Sequence, residues 1–328
     1  MATQWIFFGG FMVFILFMLA LDLGVFHKKD HEIKTREALT WTLVWISLAM
    51  LFGVLLLTCG DWMLGHTAAD AAAAKAFRRE IFTQYLAGYF LEESLSIDNI
   101  FVMIMLFASF GVEKQYYHRV LFWGILGAIV LRFVFIFALG ELVTKFSWVL
   151  AVFGVILIYS GVKMFADKGD KSVDTANHPV VKFAAKHFRV TREFHGHDFF
   201  THVDGKRFIT PLFVVLLVVE FSDIIFAVDS IPAVFSVTKD PFIVYFSNIF
   251  AIMGLRSLFF LLSGITDKFW MLHYGLGVLL SFIGIKMIVS ELWHIEISTV
   301  ASLLVILGIL AGSIALSLAI PQPQKRKQ

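Results

Sequence analysis

The chain has 328 residues, 59% of them hydrophobic and only 16% charged, with a mean hydropathy of +0.82; a soluble domain of this length needs far more polar surface, which excludes that class. Cys59 is the only cysteine, which excludes an intrachain disulfide framework. The net charge of +2 hides an asymmetry between loops.

Nine stretches are long and apolar enough to cross about 30 Å of hydrocarbon, which takes roughly 20 helical residues. In chain order they are 5–26, 38–58, 83–110, 118–139, 146–165, 210–234, 242–263, 271–290 and 298–320. None shows the short polar–apolar alternation of an outer-membrane barrel, so the predicted fold is an all-α polytopic membrane protein in one membrane domain. The first stretch has no basic n-region and no small-residue cleavage site, and so reads as a retained span. Asp22, near its end, reads as interfacial. Gly124, Gly127, Gly154 and Gly161 read as close-packing positions between helices.

Loop charge predicts orientation. The loops 27–37, 111–119, 166–209, 264–270 and 321–328 hold 18 Lys and Arg, against 5 on the opposite side. Positive residues stay in the cytoplasm, which predicts an inner-membrane protein with its N-terminus outside and its C-terminus inside. The tail Lys325-Arg326-Lys327 reads as an orientation signal and a lipid contact, with no nucleic acid as partner. The long cytoplasmic loop 166–209 carries His178, His187, His195, His197 and His202. A solvated linker is the favoured reading and a regulatory metal site the alternative, because His195-Gly196-His197 is weak ligand spacing. Within this loop, residues 200–208 read as a hairpin turning on Asp204-Gly205.

Spans 3–5 (repeat A, 83–165) resemble spans 6–8 (repeat B, 210–290). Asp98-Asn99-Ile100 matches Asp229-Ser230-Ile231, and Glu92 and Asp223 each lie six residues earlier. Arg132 and Arg256 occupy corresponding second spans, and Gly161-Val162-Lys163-Met164 matches Gly284-Ile285-Lys286-Met287. Three spans per half make this an inverted repeat, with 5–26, 38–58 and 298–320 as additional helices. Many secondary transporters have that arrangement, with their sites at the repeat interface near the midplane.

Six carboxylates lie at membrane depth: Glu92, Glu93, Asp98, Glu220, Asp223 and Asp229. Each costs roughly 2.5–3.5 kcal/mol at a helix centre. They must be protonated, paired or bound to a cation. Arg132 and Arg256 are expected to pair some of them, while Lys163 and Lys286 snorkel towards the interface. The candidate metal ligands are Glu92, Asp98, Asn99, Glu220, Asp223, Asp229 and Ser230. Glu93, Ser96, Ser222, Arg132, Arg256 and Asn248 support them, with Asn248 expected to bridge helices. For Glu93 and Glu220, ion pairing and ligation are equally open. With no cysteine or histidine beside the acids in sequence, the donors suit Mg²⁺, Ca²⁺ or Mn²⁺ over Zn²⁺. Residues six apart in an unbroken helix point about 120° apart, so Glu92 and Asp98 would not share a face. Pro232 predicts a break or kink beside Asp229, with a matching break in span 3 by symmetry.

The motifs Glu92-Glu93-Ser94-Leu95-Ser96-Ile97-Asp98-Asn99, Glu220-Phe221-Ser222-Asp223 through Asp229-Ser230-Ile231-Pro232, and Ser247-Asn248 through Gly254-Leu255-Arg256 resemble the TerC family of bacterial membrane proteins. The likeness to its Alx branch covers nearly the whole chain. It implies membership of the wider lysine-exporter-like transporter group, a role in manganese export and alkaline response, and a metal site made by the acids of spans 3 and 6. The expected function is export of a divalent cation, Mn²⁺ before Ca²⁺ or Mg²⁺, with protons as the counter-ion and no permanent cofactor. A Ca²⁺ or other cation/proton exchanger and a membrane scaffold without transport are the alternatives. An intramembrane aspartyl protease is disfavoured, because neither Asp98 nor Asp229 sits in a Gly-x-Gly-Asp context. No enzyme activity is expected.

Overall fold

The computed structural model describes residues 2–24, 35–146, 148–166, 178–191, 193–194, 196–203, 205–263, 271–295 and 297–320. They form α1 (Ala2–Gly24), α2 (Thr35–Met63), α3 (Ala71–Ser109), α4 (Lys114–Lys145) and α5 (Val149–Ala166). A short α6 (Pro179–His187) and the strands β1 (Phe200–Val203) and β2 (Lys206–Ile209) follow. The chain ends in α7 (Pro211–Phe235), α8 (Pro241–Ser263), α9 (Leu272–Trp293) and α10 (Thr299–Ala319). Six helices, α2, α4, α7, α8, α9 and α10, are long and apolar enough to cross a membrane, and Gln4–Ala20 and Val149–Phe165 are shorter apolar helices. The chain is a multi-pass integral membrane protein.

Helix ends follow local chemistry. Asp70 caps α3 by accepting from the Ala73 N–H at 2.7 Å, so α3 starts well before the apolar run and reaches 39 residues. A four-alanine first turn, Ala71–Ala74, favours that early start. Gly111, at φ +63°, takes the left-handed conformation that ends α3. Thr210 and Pro211 open α7, with the Thr210 hydroxyl accepting from the Phe213 N–H at 3.4 Å.

Two expectations need correction. Neither predicted helix break is present: α3 runs unbroken from Ala71 to Ser109, and α7 continues through Pro232 to Phe235. Pro232 falls in the last turn of α7, where the missing N–H costs a single bond close to a helix end. The carbonyl deprived of that bond is that of Val228, next to Asp229. The loop 166–209 is also more structured than a solvated linker. It contains α6 and the expected hairpin, with Phe200 paired to Ile209 and Val203 to Lys206. Gly205 turns at φ +72°; Asp204 and His195 lie outside the described residues. Ala184 of α6 packs with Ile209 and Val214, and the ring of His178 meets Phe221 of α7 edge-on, centroids 6.1 Å apart.

α8 is the central helix, buried along almost its whole length and packed against α2, α3 and α4. Phe8 and Phe11 of α1 stack into Phe242, Phe246 and Phe250 of α8, which holds α1 to the bundle by aromatic contact. The closest helix pair is α5 with α9. A Cβ on Gly154 would lie 2.8 Å from the Gly284 carbonyl oxygen, and one on Gly161 would lie 2.6 Å from that of Gly277. The reverse holds too: Gly277 faces the Gly161 oxygen at 2.9 Å and Gly284 the Gly154 oxygen at 2.5 Å. Backbone meets backbone because no side chain intervenes. Gly161→Val is expected to destabilise the protein by about 1–3 kcal/mol through overpacking against rigid main chain. A lower thermal unfolding midpoint in detergent checks this, with Gly308→Val, which has open space around it, as the neutral control.

Candidate functional site

Two polar centres lie inside the bundle. The first is held by four helices. Arg132 of α4 is fully buried, as are Glu92 of α3 and Asn248 of α8, and Asp223 of α7 is 4% exposed. The Arg132 guanidinium donates through Nη1 to Glu92 Oε1 and Asn248 Oδ1, and through Nη2 to Asp223 Oδ1 at 3.4 Å. Asn248 Nδ2 closes the ring by donating to Glu92 Oε2 at 2.9 Å. Arg132 thus meets the expectation that it pairs with a carboxylate, and Asn248 bridges helices as expected. One cation faces two carboxylates, and Asp223 Oδ2 and Arg132 Nε have no partner.

The second centre is a cavity of about 260 Å³ between α3, α5, α7 and α9. Asn99, Asp229 and Ser230 line it, joined by Ser160, Lys163 and His273. Ser160 Oγ lies 3.4 Å from each oxygen of the Asp229 carboxylate, and His273 Nε2 lies 3.2 Å from the Met164 carbonyl. Asn99 Nδ2 and Ser230 Oγ are buried without a partner. So is Ser96 Oγ. Glu92, Ser96 and Asn99 are spaced i, i+4, i+7 and share one face of α3, while Asp223 and Ser230 share one face of α7. Each face starts in the arginine cluster and ends at the cavity, and carries the unpartnered atoms along it.

The remaining predicted residues are dispersed. The Glu220 carboxylate lies against Gly127 of α4, in the space where a Cβ would stand. Glu93 Oε1 is 3.9 Å from the position of a Cβ on Gly254, and its Oε2 is buried without a partner. Glu220 and Glu93 belong to neither centre. Ser222 donates to the Val218 carbonyl at 2.8 Å within its own helix. Arg256 Nη1 lies 3.0 Å from His118 Nε2. Asp98 lies on α3, but its side chain is outside the described residues. Among the described residues, no three His, Cys, Asp or Glu side chains converge as a metal-binding group.

Sequence reading missed Ser160, Lys163 and His273. A lone serine in an apolar span gave no signal, and Lys163, expected to snorkel, lines the cavity. His273, 44 positions from Asp229 in the chain, lines the same cavity, which adds an imidazole to a lining that the sequence neighbours of the acids did not include.

Comparison with known proteins fits these motifs. Residues 77–325 match the family described as integral membrane protein TerC family. This chain belongs to the TerC family. It is 45% identical over 310 residues to "Uncharacterized membrane protein STKORF319" of Myxococcus xanthus, covering 94% of this chain and 91% of the relative. It is 46% identical over 303 residues to "Putative membrane-bound redox modulator Alx" of Photorhabdus laumondii, covering 91% of this chain and 92% of the relative. The Alx protein of Escherichia coli K12 is 44% identical, over 92% of this chain and 91% of its own length. These names mark the chain as similar to the Alx branch of the family, and none of them is an enzyme's. No solved structure matches the chain.

Proposed function

We propose that this TerC-family protein is a secondary transporter that exports a divalent cation, Mn²⁺, across the bacterial inner membrane in exchange for protons. The observation that carries the reading is the set of unpartnered buried oxygens on Ser96, Asp223 and Ser230, alongside a cavity lined by the Asp229 carboxylate. Buried polar groups are normally satisfied. These would be satisfied by a passing hydrated cation, with Asp229 supplying charge and Asn99, Ser160 and Ser230 supplying neutral oxygens. Asp98, Glu92, Asp223 and Glu220 complete the proposed ligand set as the helices move.

Arg132 explains how the empty protein keeps its acids in the membrane. Its single positive charge offsets one of Glu92 and Asp223, leaving one negative charge for a proton or an entering cation. That competition is a physical route to exchange. It also allows α3 to cross the bilayer despite its acids, which supports nine spans; the loop charge asymmetry then favours the N-terminus outside and the C-terminus in the cytoplasm.

The seam between α5 and α9 supports the inverted repeat. The Gly-x-Lys-Met match pairs Gly161 with Gly284, and the same offset pairs Gly154 with Gly277. The contacts join Gly154 to Gly284 and Gly161 to Gly277. Each contact is the counterpart of the other, as at an isologous twofold interface, and the order along the two helices is antiparallel.

Manganese is chosen over calcium and magnesium on the family resemblance; the oxygen donors fit all three. The imidazole of His273 makes Zn²⁺ a competitor that must be tested. A redox-modulating role, as in the name of the Alx relatives, would reach this chain through metal handling, because Cys59 is its only cysteine.

Uptake of Mn²⁺ into inverted inner-membrane vesicles tests the proposal. Accumulation is expected that requires the chain, collapses when a protonophore discharges the pH gradient, and resists competition by Ca²⁺ and Zn²⁺. No chain-dependent accumulation overturns manganese transport, and accumulation unaffected by the protonophore overturns proton exchange.

A further inference from the structure

We propose that α6 is an interfacial element that lies in the leaflet beside α7, with Phe183 and Phe188 among acyl chains and Lys182, Lys186 and Arg189 on the phosphates of anionic phospholipids. The depth of α6 follows from its contacts. α7 starts at Pro211, and at 1.5 Å per residue Phe221 sits about 15 Å along it and Val214 about 4.5 Å. His178 meets Phe221, and Ala184 packs with Val214. The nine residues of α6, about 13.5 Å long, therefore run alongside the first half of a membrane-crossing helix. A bilayer is about 40–45 Å thick with its headgroups and about 30 Å without them, so this stretch spans the headgroup zone and the adjoining acyl region.

Its lateral position points the same way. Phe221, Ile225 and Val228 are exposed at 38, 52 and 38% and form the outward stripe of α7. α6 reaches that stripe at Phe221, so it flanks α7 on the side open to lipid.

The side chains suit that location. Val180, Val181 and Ala184 face the protein, while Lys182 and Lys186 are exposed. Phe183 is 55% exposed and Phe188 47%, an unfavourable arrangement in water and a favourable one at the acyl boundary. α6 contains no acidic residue, and Arg189 adds a third basic group just after it. Basic residues at this depth recognise anionic headgroups, each attracted by about 1 kcal/mol near a charged surface. The neighbouring hairpin repeats the pairing of aromatic and cation, with Arg207 stacked 4.4 Å over the half-exposed Phe200 ring. That the leaflet is the cytoplasmic one is part of the orientation proposed above; the membrane contact itself does not depend on transport.

The single cysteine makes the test direct. In a C59S background, F183C carries a nitrobenzoxadiazole label in the full chain, reconstituted into vesicles of phosphatidylcholine with phosphatidylglycerol. Severalfold stronger quenching by acyl-brominated lipid than by aqueous iodide is expected. Should F183C fold poorly, A185C carries the label with Phe183 intact. Strong iodide quenching without lipid quenching at the labelled site overturns the proposal. The headgroup half is read separately. Phosphatidylglycerol is expected to raise the unfolding midpoint of the wild-type chain over phosphatidylcholine alone, and K182Q/K186Q/R189Q to lose that rise. An equal rise in both chains, or none in either, removes the anionic headgroup from the proposal.

Discussion

Asp98→Asn/Asp229→Asn is expected to lower manganese uptake into inverted vesicles by about 100-fold or more. Asparagine keeps the volume of each side chain and one of its oxygens, so the cavity lined by Asp229, Asn99 and Ser230 retains its shape. What it loses is charge. Leaving a buried ion without its counter-charge costs about 3–5 kcal/mol, and 1.4 kcal/mol is a factor of ten in affinity. Asp229→Asn alone carries much of this loss, because Ser160, the hydrogen-bond partner found for Asp229, stands 3.4 Å away and cannot replace a charge. Ser160→Ala is expected to cost less than tenfold. The unfolding midpoint should hold or rise in the double variant, since a neutral amide is cheaper to bury than a carboxylate. Uptake within twofold of wild type would take both carboxylates off the transport path.

Arg132→Met should cost about 3–5 kcal/mol of stability, the amount typical for breaking a buried ion pair from one side. The guanidinium is fully buried and serves Glu92, Asp223 and Asn248 together. Methionine fills the space and leaves two carboxylates facing each other without a cation. Thermal unfolding in detergent should show a large drop in midpoint. Adding Glu92→Gln should recover part of it, because the second change removes one orphaned charge, so the two effects are strongly non-additive. Simple additivity would mean that Arg132 packs against Glu92 without compensating it. Glu92→Gln alone is the milder change, as Arg132 keeps Asp223 and Asn248.

Much of this was legible in the sequence where one dimension suffices. Apolar runs located the long helices to within about six residues at each end, except at α3, where hydropathy missed a charged but well-capped extension to Ala71. The cost of burying Arg132 demanded a carboxylate, yet nothing linear said that its partners would be Glu92, 40 positions away, and Asp223, 91 positions away. The acids were expected to gather in one place. The unbroken α7 instead sends Asp223 to Arg132 and Asp229 to the cavity, since positions six apart diverge by about 120° on a regular helix. Proline misled for a related reason: its effect depends on distance from the helix end, and Pro232 sits in the final turn. Ser160 and His273 were invisible because a lone hydroxyl or imidazole in an apolar stretch has no periodic signature. α6, with nine residues, is shorter than any hydropathy window that finds spans.

The glycine seam bears on how motion is distributed. At Gly154, Gly161, Gly277 and Gly284 main chain rests on main chain, so these four positions bring no rotamer of their own to rearrange and no side-chain entropy of their own to lose when the two helices roll. A joint of that kind works as a fulcrum. In the proposed exchange, displacement would be smallest there and grow with distance along each lever arm, so a rigid clamp across the joint would be tolerated, whereas the same clamp at the far ends of α5 and α9 would arrest transport.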